Sequence, residues 1–256
     1  MRGARHAWYV ALRHARRVLR QPAWVAITLI QPMIWLLLFG ALFKSVARIP
    51  GFHGSYIKYL TPGVIVMTAI SSAGWAGMSF IDDMHSGVME RMLSSPVWRS
   101  ALNVGSLAYS SIETVVQSLI IIVVGLVIGA HFPNGLGGIA VLILVACLLG
   151  SCIAALSNAL ALIVRQRETL IAAVTSVILP LTFLSSAFMQ ANLVPSWVRG
   201  VSRFNPVNWA IQAGRSAAVG PADWSYVGER IGLLFALLLV SSFLANRAFR
   251  SYQRSL

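Results

Sequence analysis

The amino-acid sequence predicts an all-α membrane protein that crosses the bilayer six times. Hydrophobic residues make up 57% of the 256-residue chain and charged residues only 11%, against roughly 45 to 50% and 25% in soluble globular proteins. The mean hydropathy is +0.76, and the charges are clustered between long apolar runs. Because so few polar side chains cannot cover a water-soluble body, we expect the chain to lie in a bilayer.

The predicted spans come from stretches that are nearly free of charge, because a transmembrane helix needs about 20 mostly apolar residues. The stretch from Ser100 to Val164 is broken only by Glu113 and is too long for one crossing. Its middle, from His131 to Gly138, collects Pro, Asn and Gly and therefore predicts a turn. The six predicted spans are residues 23–43, 59–81, 104–130, 139–164, 170–189 and 231–246.

The basic residues predict the direction of these spans. Thirteen of the 20 Arg and Lys residues fall on the side of the two termini, and the other seven fall on the opposite side. Since cytoplasmic loops carry an excess of Arg and Lys, both termini are predicted to be cytoplasmic. Topology and anionic lipid then explain the net charge of +13, and a nucleic-acid partner is not expected. The basic start and the apolar run are too long for a signal peptide, so we expect the first span to be retained.

Residues 1–22 are predicted to form an amphipathic helix at the membrane interface. On a helical wheel Trp8, Leu12 and Leu19 fall on one side and the arginines on the opposite side, and Pro22 ends the pattern. Two interpretations stay open: a simple basic anchor, or a lever that couples a cytoplasmic partner to the first span.

A second amphipathic segment, residues 82–99, connects the second and third spans. Met84, Val88 and Met92 recur at helical spacing, and Pro96 ends the pattern. A polar connector is one interpretation. A Met-rich apolar face edged with charges favours the other, which is docking to a partner protein.

The segment 190–230 is too long for a plain connector, and its apolar pieces are too short to cross a bilayer. It predicts two short helices that lie at or re-enter the outer membrane face, hinged near Asn205 and Pro206. Pro195 and Trp197 belong to the same proposed hinge region. The alternative is an ordered surface loop anchored in the interfacial belt by Trp197, Trp209 and Trp224.

Glu113 is the only acidic residue inside a predicted span. A charged group deep in lipid costs at least about 2.5 to 3.5 kcal/mol, so such a residue is a candidate for function. Gln117 follows one helical turn later, and Glu113 could instead bond to a neighbouring helix. Both roles stay open.

The sequence predicts neither a catalytic residue nor a metal site. Lys44 and Lys58 follow Phe43 and Ile57, so neither belongs to a Walker A loop that could hold ATP. The five histidines are scattered outside the spans and form no metal-binding pattern. We therefore expect no cofactor in this chain and an energy source in a partner or an ion gradient.

The segment GVMERMLSSPVWRSALNVGSL resembles the cytoplasmic coupling segment of type-2 ATP-binding-cassette export permeases. Its matching positions are Gly87, Glu90, Arg91, Leu93, Pro96 and Arg99, while Val88 stands where Thr is usual. The resemblance continues in QPMIWLLLFGALF and from Ala161 to Arg215, where Ala187 replaces a frequent Gly. The drug and lipid exporters that resemble daunorubicin-resistance permeases are the closest subgroup.

This resemblance implies a single permease domain over residues 1–256 that exports a hydrophobic or amphipathic drug or lipid across the plasma membrane. It implies a separate ATPase subunit that binds ATP and Mg, and a second permease copy or paralogue. A permease for a lipid-linked glycan and a proton-coupled carrier that uses Glu113 are the alternatives. The residues expected to couple to the ATPase are Gly87, Met89, Glu90, Arg91, Met92, Leu93, Pro96 and Arg99. The candidates for the translocation path are Met33, Trp35, Met67, Trp75, Glu113 and Phe183.

Overall fold

The computed structural model describes residues 22–43, 55–89, 91, 100–190 and 193–254. These residues form helices and short connections without a β-strand, which confirms the all-α prediction for this part of the chain. Residues 1–21, Glu90 and 92–99 lie outside the described residues, and with them most of the predicted interfacial helix and half of the segment 82–99. The helical elements are α1 (Pro22–Ile34), a π-helical segment (Trp35–Phe39), α2 (Gly40–Leu42), α3 (Tyr56–Gly74), α4 (Met78–His85), α5 (Ser100–Ile128), α6 (Gly135–Val164), α7 (Arg167–Phe183), α8 (Ser196–Ser202), α9 (Pro206–Ala218) and α10 (Trp224–Gln253).

Four helical stretches in the described residues are long and apolar enough to cross a membrane. They correspond to the second, third, fourth and sixth predicted spans and cover Tyr56–His85, Asn103–Ile128, Gly135–Val164 and Trp224–Gln253. The last one is longer at both ends than the predicted 231–246. The other two predicted spans correspond to shorter helices, an apolar stretch Ile27–Leu42 and the 17-residue α7. The count of six crossings therefore stays a prediction.

Helix α6 is the centre of the bundle and packs against α3, α5, α9 and α10. Its buried residues include many small ones, which let neighbouring backbones approach closely. A Cβ atom added at Gly138 would lie 2.4 Å from the carbonyl oxygen of Ala217 on α9. Lipid offers no hydrophobic driving force between helices, so this close contact is a main source of their association.

Polar side chains add specific bonds between the central helices. The side-chain amide nitrogen of Asn158 on α6 donates to the side-chain oxygen of Asn103 at 3.2 Å and to the Ser106 hydroxyl at 3.1 Å, both on α5. The hydroxyls of Ser111 and Ser151 bond at 3.1 Å. These bonds fix the rotation of α5 against α6.

The second predicted span is broken between α3 and α4, and a side chain of α6 bonds the broken backbone. The Ser157 hydroxyl donates to the carbonyl of Gly74 at 2.6 Å and accepts from the amide of Gly77 at 3.1 Å. A Cβ atom at Gly77 would lie 2.4 Å from the carbonyl oxygen of Ser157. The break therefore requires a glycine at this contact. Trp75 lies within it.

Gly138→Ala is expected to destabilise the bundle, because its new methyl group would press against the backbone of Ala217. Overpacking of this kind costs about 1 to 3 kcal/mol. Gly137→Ala is the matched control, since a Cβ at Gly137 meets nothing within 4 Å and Ala favours a helix. Thermal unfolding of both variants in detergent measures the difference. Equal unfolding temperatures would contradict the assigned contact between α6 and α9.

Candidate functional site

A groove of about 330 Å³ lies between α1, α3 and α7, with Gln117 of α5 at its base. It combines aromatic and aliphatic walls with hydroxyl and amide groups, and no charged side chain is among its described lining residues. Four of the six predicted path residues line it: Trp35, Met67, Trp75 and Phe183. The apolar part of the wall is completed by Ile27, Pro32, Val64, Val174, Ile178 and Leu179.

Gln117 joins three helices at the base of this groove. Its amide oxygen accepts from the Ser72 hydroxyl on α3 at 3.1 Å, and its amide nitrogen donates to the Thr28 hydroxyl on α1 at 3.4 Å. The same nitrogen donates to the Glu113 carboxylate at 3.4 Å. The orientation of the Gln117 amide is therefore set by partners on its own helix, on α1 and on α3.

The other two predicted path residues lie outside the groove lining. Glu113 is 8% exposed and contacts the groove through Gln117, which lies between them. Met33 is partly buried and packs against the core instead. A molecule bound in the groove would therefore contact Glu113 only through Gln117.

Aromatic rings continue from the groove toward the end of the bundle that holds α8, α9 and the start of α3, which we call the α9 end. Trp35 stacks on Phe39 with 4.6 Å between ring centroids, and Phe39 lies 5.5 Å from Phe188. Phe183 and Phe188 are 5.7 Å apart. These rings form a continuous apolar surface along the π-helical segment, the end of α7 and the turn that follows it.

Two asparagines hold the turn that follows α7 at the α9 end. The Asn205 amide donates to the carbonyl of Leu181 at 2.7 Å and to that of Leu184 at 3.2 Å. The Asn208 oxygen accepts from the amide of Ser186 at 3.1 Å, and its nitrogen donates to the carbonyl of Ser202 at 2.8 Å. The turn is thereby bonded to the short helices α8 and α9.

The predicted hinge residues have different surroundings in the structure. Asn205 caps α9, because its side-chain oxygen accepts from the amide of Val207 at 2.9 Å, and Pro206 occupies the first turn of that helix. Pro195 precedes α8, and Trp197 on α8 is 64% exposed. Their role as a hinge stays a prediction.

Arg215 on α9 ties the start of α3 to the same turn. Its Nη2 atom donates to the carbonyls of Tyr59 and Ser186, each at 3.1 Å. Its guanidinium carbon lies 3.6 Å from the ring centroid of Tyr59, a cation–π contact. Burial lowers the pKa of Arg215, and the contacts with Tyr59 oppose this shift. Arginine stays charged even so, and the α9 end holds a fixed positive charge.

The opposite end of the bundle, which we call the α4 end, holds the start of the segment 82–99. Arg167 at the start of α7 forms an ion pair with Asp82 on α4, and both side chains are about half exposed. Met89 is 1% exposed and packs with Phe80, Leu162 and other residues of this chain. Gly87 has a positive φ of 66° and Arg91 is exposed. The remaining predicted coupling residues, Glu90, Met92, Leu93, Pro96 and Arg99, lie outside the described residues.

Sequence reasoning did not select Asn208 as a site residue or predict the bonding roles of Gln117 and Arg215. Gln117 and Asn208 are almost fully buried amides, and an amide within an apolar run is the signal that marks both. Gln117 bonds to Ser72 on α3 and to Thr28 on α1, and Asn208 bonds to Ser186 in the turn after α7. Only the fold could identify those partners.

The described residues form a helical bundle with four apolar stretches long enough to cross a membrane, and uncharged side chains line its groove. These features fit a membrane transport protein. Residues 5–219 match the family described as ABC-2 type transporter, so the chain belongs to this family. It is 27% identical over 222 residues to the daunorubicin resistance ABC transporter permease protein DrrB1 of Streptomyces coeruleorubidus, with 87% of this chain and 78% of that protein covered. It is 25% identical over 225 residues to the inner membrane transport permease YadH of Escherichia coli strain K12, with 85% and 86% covered.

Asn208→Ala is expected to loosen the turn after α7. The change leaves the amide of Ser186 without its bond, while the carbonyl of Ser202 loses one of two bonds and still accepts from the amide of Asn205 at 3.2 Å. A buried unpaired group costs about 1 to 3 kcal/mol. Thermal unfolding in detergent should show a clear loss of stability. Arg203→Ala, which alters an exposed side chain nearby, is the control and should unfold like the unchanged protein. The assigned bonding is wrong if both variants behave alike.

Proposed function

We propose that the chain is the membrane-spanning permease subunit of an exporter that moves a hydrophobic or amphipathic drug or lipid out of the cell, powered by a separate ATPase subunit. The observation that carries the proposal is the uncharged groove lined by Trp35, Trp75 and Phe183 in a member of the ABC-2 type transporter family. Ligand sites that are mostly apolar with a few placed polar groups fit amphipathic molecules. ATP and Mg belong to the partner ATPase in this proposal.

The proposed topology has six crossings with both termini in the cytoplasm. Helix α7 has 17 residues, which at about 1.5 Å per residue extend for about 25 Å and nearly cross the hydrocarbon. The positive-inside bias supports the direction.

Cysteine labelling tests this topology. A single cysteine replaces either Ser86 or Ser225, which are both exposed, in a chain from which Cys147 and Cys152 have been removed. The two cysteines should be labelled from opposite sides of the membrane. Labelling of both from outside intact cells would overturn this topology.

A second copy or paralogue of the permease is proposed to complete the groove. The groove is bordered by exposed apolar side chains on α1, among them Ile27 and Ile34, and on α7, among them Val177 and Leu179. A facing subunit with the same surfaces would enclose a path between the two chains. Membrane lipids would cover the exposed apolar side chains of α10, such as Phe235 and Leu239.

The segment 82–99 is proposed to transmit the ATPase movement. Its first residues are fixed to the rest of the chain, because Asp82 pairs with Arg167 and Met89 lies in the chain's own interior. Movement imposed on this segment would therefore reach α7, which lines the groove. We assign the contact with the ATPase to the part that includes Met92 and Leu93.

A lipid-linked glycan is the second candidate substrate. The observation that favours it is the set of hydroxyl and amide side chains in the groove, which could bond to sugar hydroxyls. They are Thr28, Gln31, Thr68, Ser71, Ser72, Gln117, Thr175 and Thr182. A proton-coupled carrier that uses Glu113 is less favoured, because Glu113 lies behind Gln117 and outside the groove lining.

ATP-dependent export of daunorubicin by the reconstituted permease and its co-purified ATPase tests the proposed function. Ser71→Trp should abolish export because the indole would fill the groove, while Leu239→Trp on the exposed face of α10 should leave it unchanged. A pH gradient alone should drive no export. Transport by the isolated permease along such a gradient would instead support the carrier.

Leu93→Asp should release the ATPase, because burial of such a side chain in a partner's groove contributes about 1.5 to 3 kcal/mol. Co-purification of the ATPase measures the effect, and size-exclusion chromatography checks that the permease itself stays folded. Met89→Asp should instead lower the folded yield, since Met89 is buried inside this chain. Glu90→Ala should weaken coupling less, as a solvated rim charge contributes little. If Leu93→Asp keeps both the complex and export, the segment is only a connector.

A further inference from the structure

A second cavity, separate from the groove, opens at the α9 end. It has a volume of about 720 Å³ and lies between the start of α3, the second half of α9 and the first turn of α10. No residue in the described ranges lines both this cavity and the groove. The polar residues that matter for its chemistry are Lys58, Gln190, Gln212, Arg215, Ser216 and Tyr226.

The charged residues that line this cavity are basic in the described part of the chain. They are Lys58 and Arg215, and no acidic residue is among the described lining residues. The Nε atom of Arg215 is buried and has no hydrogen-bond partner in the described part of the chain. Among the described residues the ion pair that the structure records is Asp82 with Arg167, at the α4 end. A shielded cation without a counter-ion is costly, so a bound anion would stabilise this end of the bundle.

The nearby acidic residue Asp223 has another partner. Its carboxylate caps α10 by accepting from the amide of Tyr226 at 3.1 Å. The amide of Asp223 donates to the Ser216 hydroxyl at 3.4 Å, so that hydroxyl can turn its own hydrogen toward the cavity. The hydroxyl of Tyr226 donates to the side-chain oxygen of Gln212, which leaves the Gln212 amide nitrogen as a donor.

The position of the cavity indicates the source of the anion. Trp197 and Trp224 at the same end are 64% and 58% exposed, and exposed tryptophans mark the level of the lipid head groups. Phosphate groups lie at that level, and they accept charge-assisted hydrogen bonds from Lys and Arg. Ammonium, guanidinium, hydroxyl and amide donors around one cavity match a phosphate oxyanion.

We propose that the cavity at the α9 end binds a phosphate-bearing anion, held by Lys58, Arg215, Ser216 and Gln212. This site is distinct from the proposed transport groove and does not depend on the transported substrate. Its ligand chemistry is that of a phospholipid head group, which inorganic phosphate shares.

The proposal is tested by the binding of short-chain phosphatidylglycerol to the purified full chain in a neutral detergent. Inorganic phosphate is the second ligand tested. An uncharged diacylglycerol of the same chain length is the third. Native mass spectrometry and the shift in unfolding temperature report binding. Stabilisation by phosphatidylglycerol alone identifies a lipid head group, and stabilisation by phosphate as well identifies a site for the phosphate group itself. No stabilisation by either, or equal stabilisation by diacylglycerol, would overturn the site.

Lys58→Gln is the decisive variant, because Lys58 lines the cavity. Loss of one charge-assisted bond should weaken binding about tenfold. Arg199→Gln, which removes an exposed arginine of α8 that does not line the cavity, is the matched control and should bind like the unchanged chain. If Lys58→Gln and Arg199→Gln reduce binding equally, the attraction is only that of the general positive charge, and the proposed site is wrong.

Discussion

Backbone groups that are released where a helix breaks must find partners inside the protein, because the bilayer interior offers none. This constraint governs both breaks that border the groove. Between α3 and α4 the Ser157 hydroxyl bonds to Gly74 and Gly77. After α7 the side chains of Asn205 and Asn208 bond to the turn. Each break is thus held by one or two polar side chains from a neighbouring helix.

The two breaks position the aromatic walls of the groove. Trp75 lies in the first break, and Phe183 is the last residue of α7 before the second. Side chains of α6 and α9 therefore determine the positions of these two rings, although neither helix lines the groove. Gln117 acts in the same way at the base, since it bonds to α1 and α3 together. A change in any of these polar residues would reshape the groove from a distance.

The arginines at the two ends of the molecule have different kinds of partner. At the α4 end Arg167 has the carboxylate of Asp82 as its partner, in a region that contains the start of the segment 82–99. At the α9 end Arg215 is held by carbonyl groups and by the ring of Tyr59. Between them the groove contains no charged side chain among its described residues. In the proposed function, an uncharged groove of this kind would suit an amphipathic molecule better than a small ion.

The sequence by itself determined the helical class, the membrane location and the family resemblance. Apolar runs and clustered charges are local properties, and four of the six predicted spans correspond to helices long and apolar enough to cross a membrane. Trp35, Met67, Trp75 and Phe183 were candidates for one path, and the fold brings all four to one groove. Only the tertiary structure decided that Met89 faces the chain's own interior and that Glu113 lies behind Gln117. The rotation of each helix depends on close contacts such as Gly138 against Ala217 and on bonds between helices distant in the chain. The sequence pattern along one helix cannot predict these contacts, because each contact also depends on a residue of the other helix.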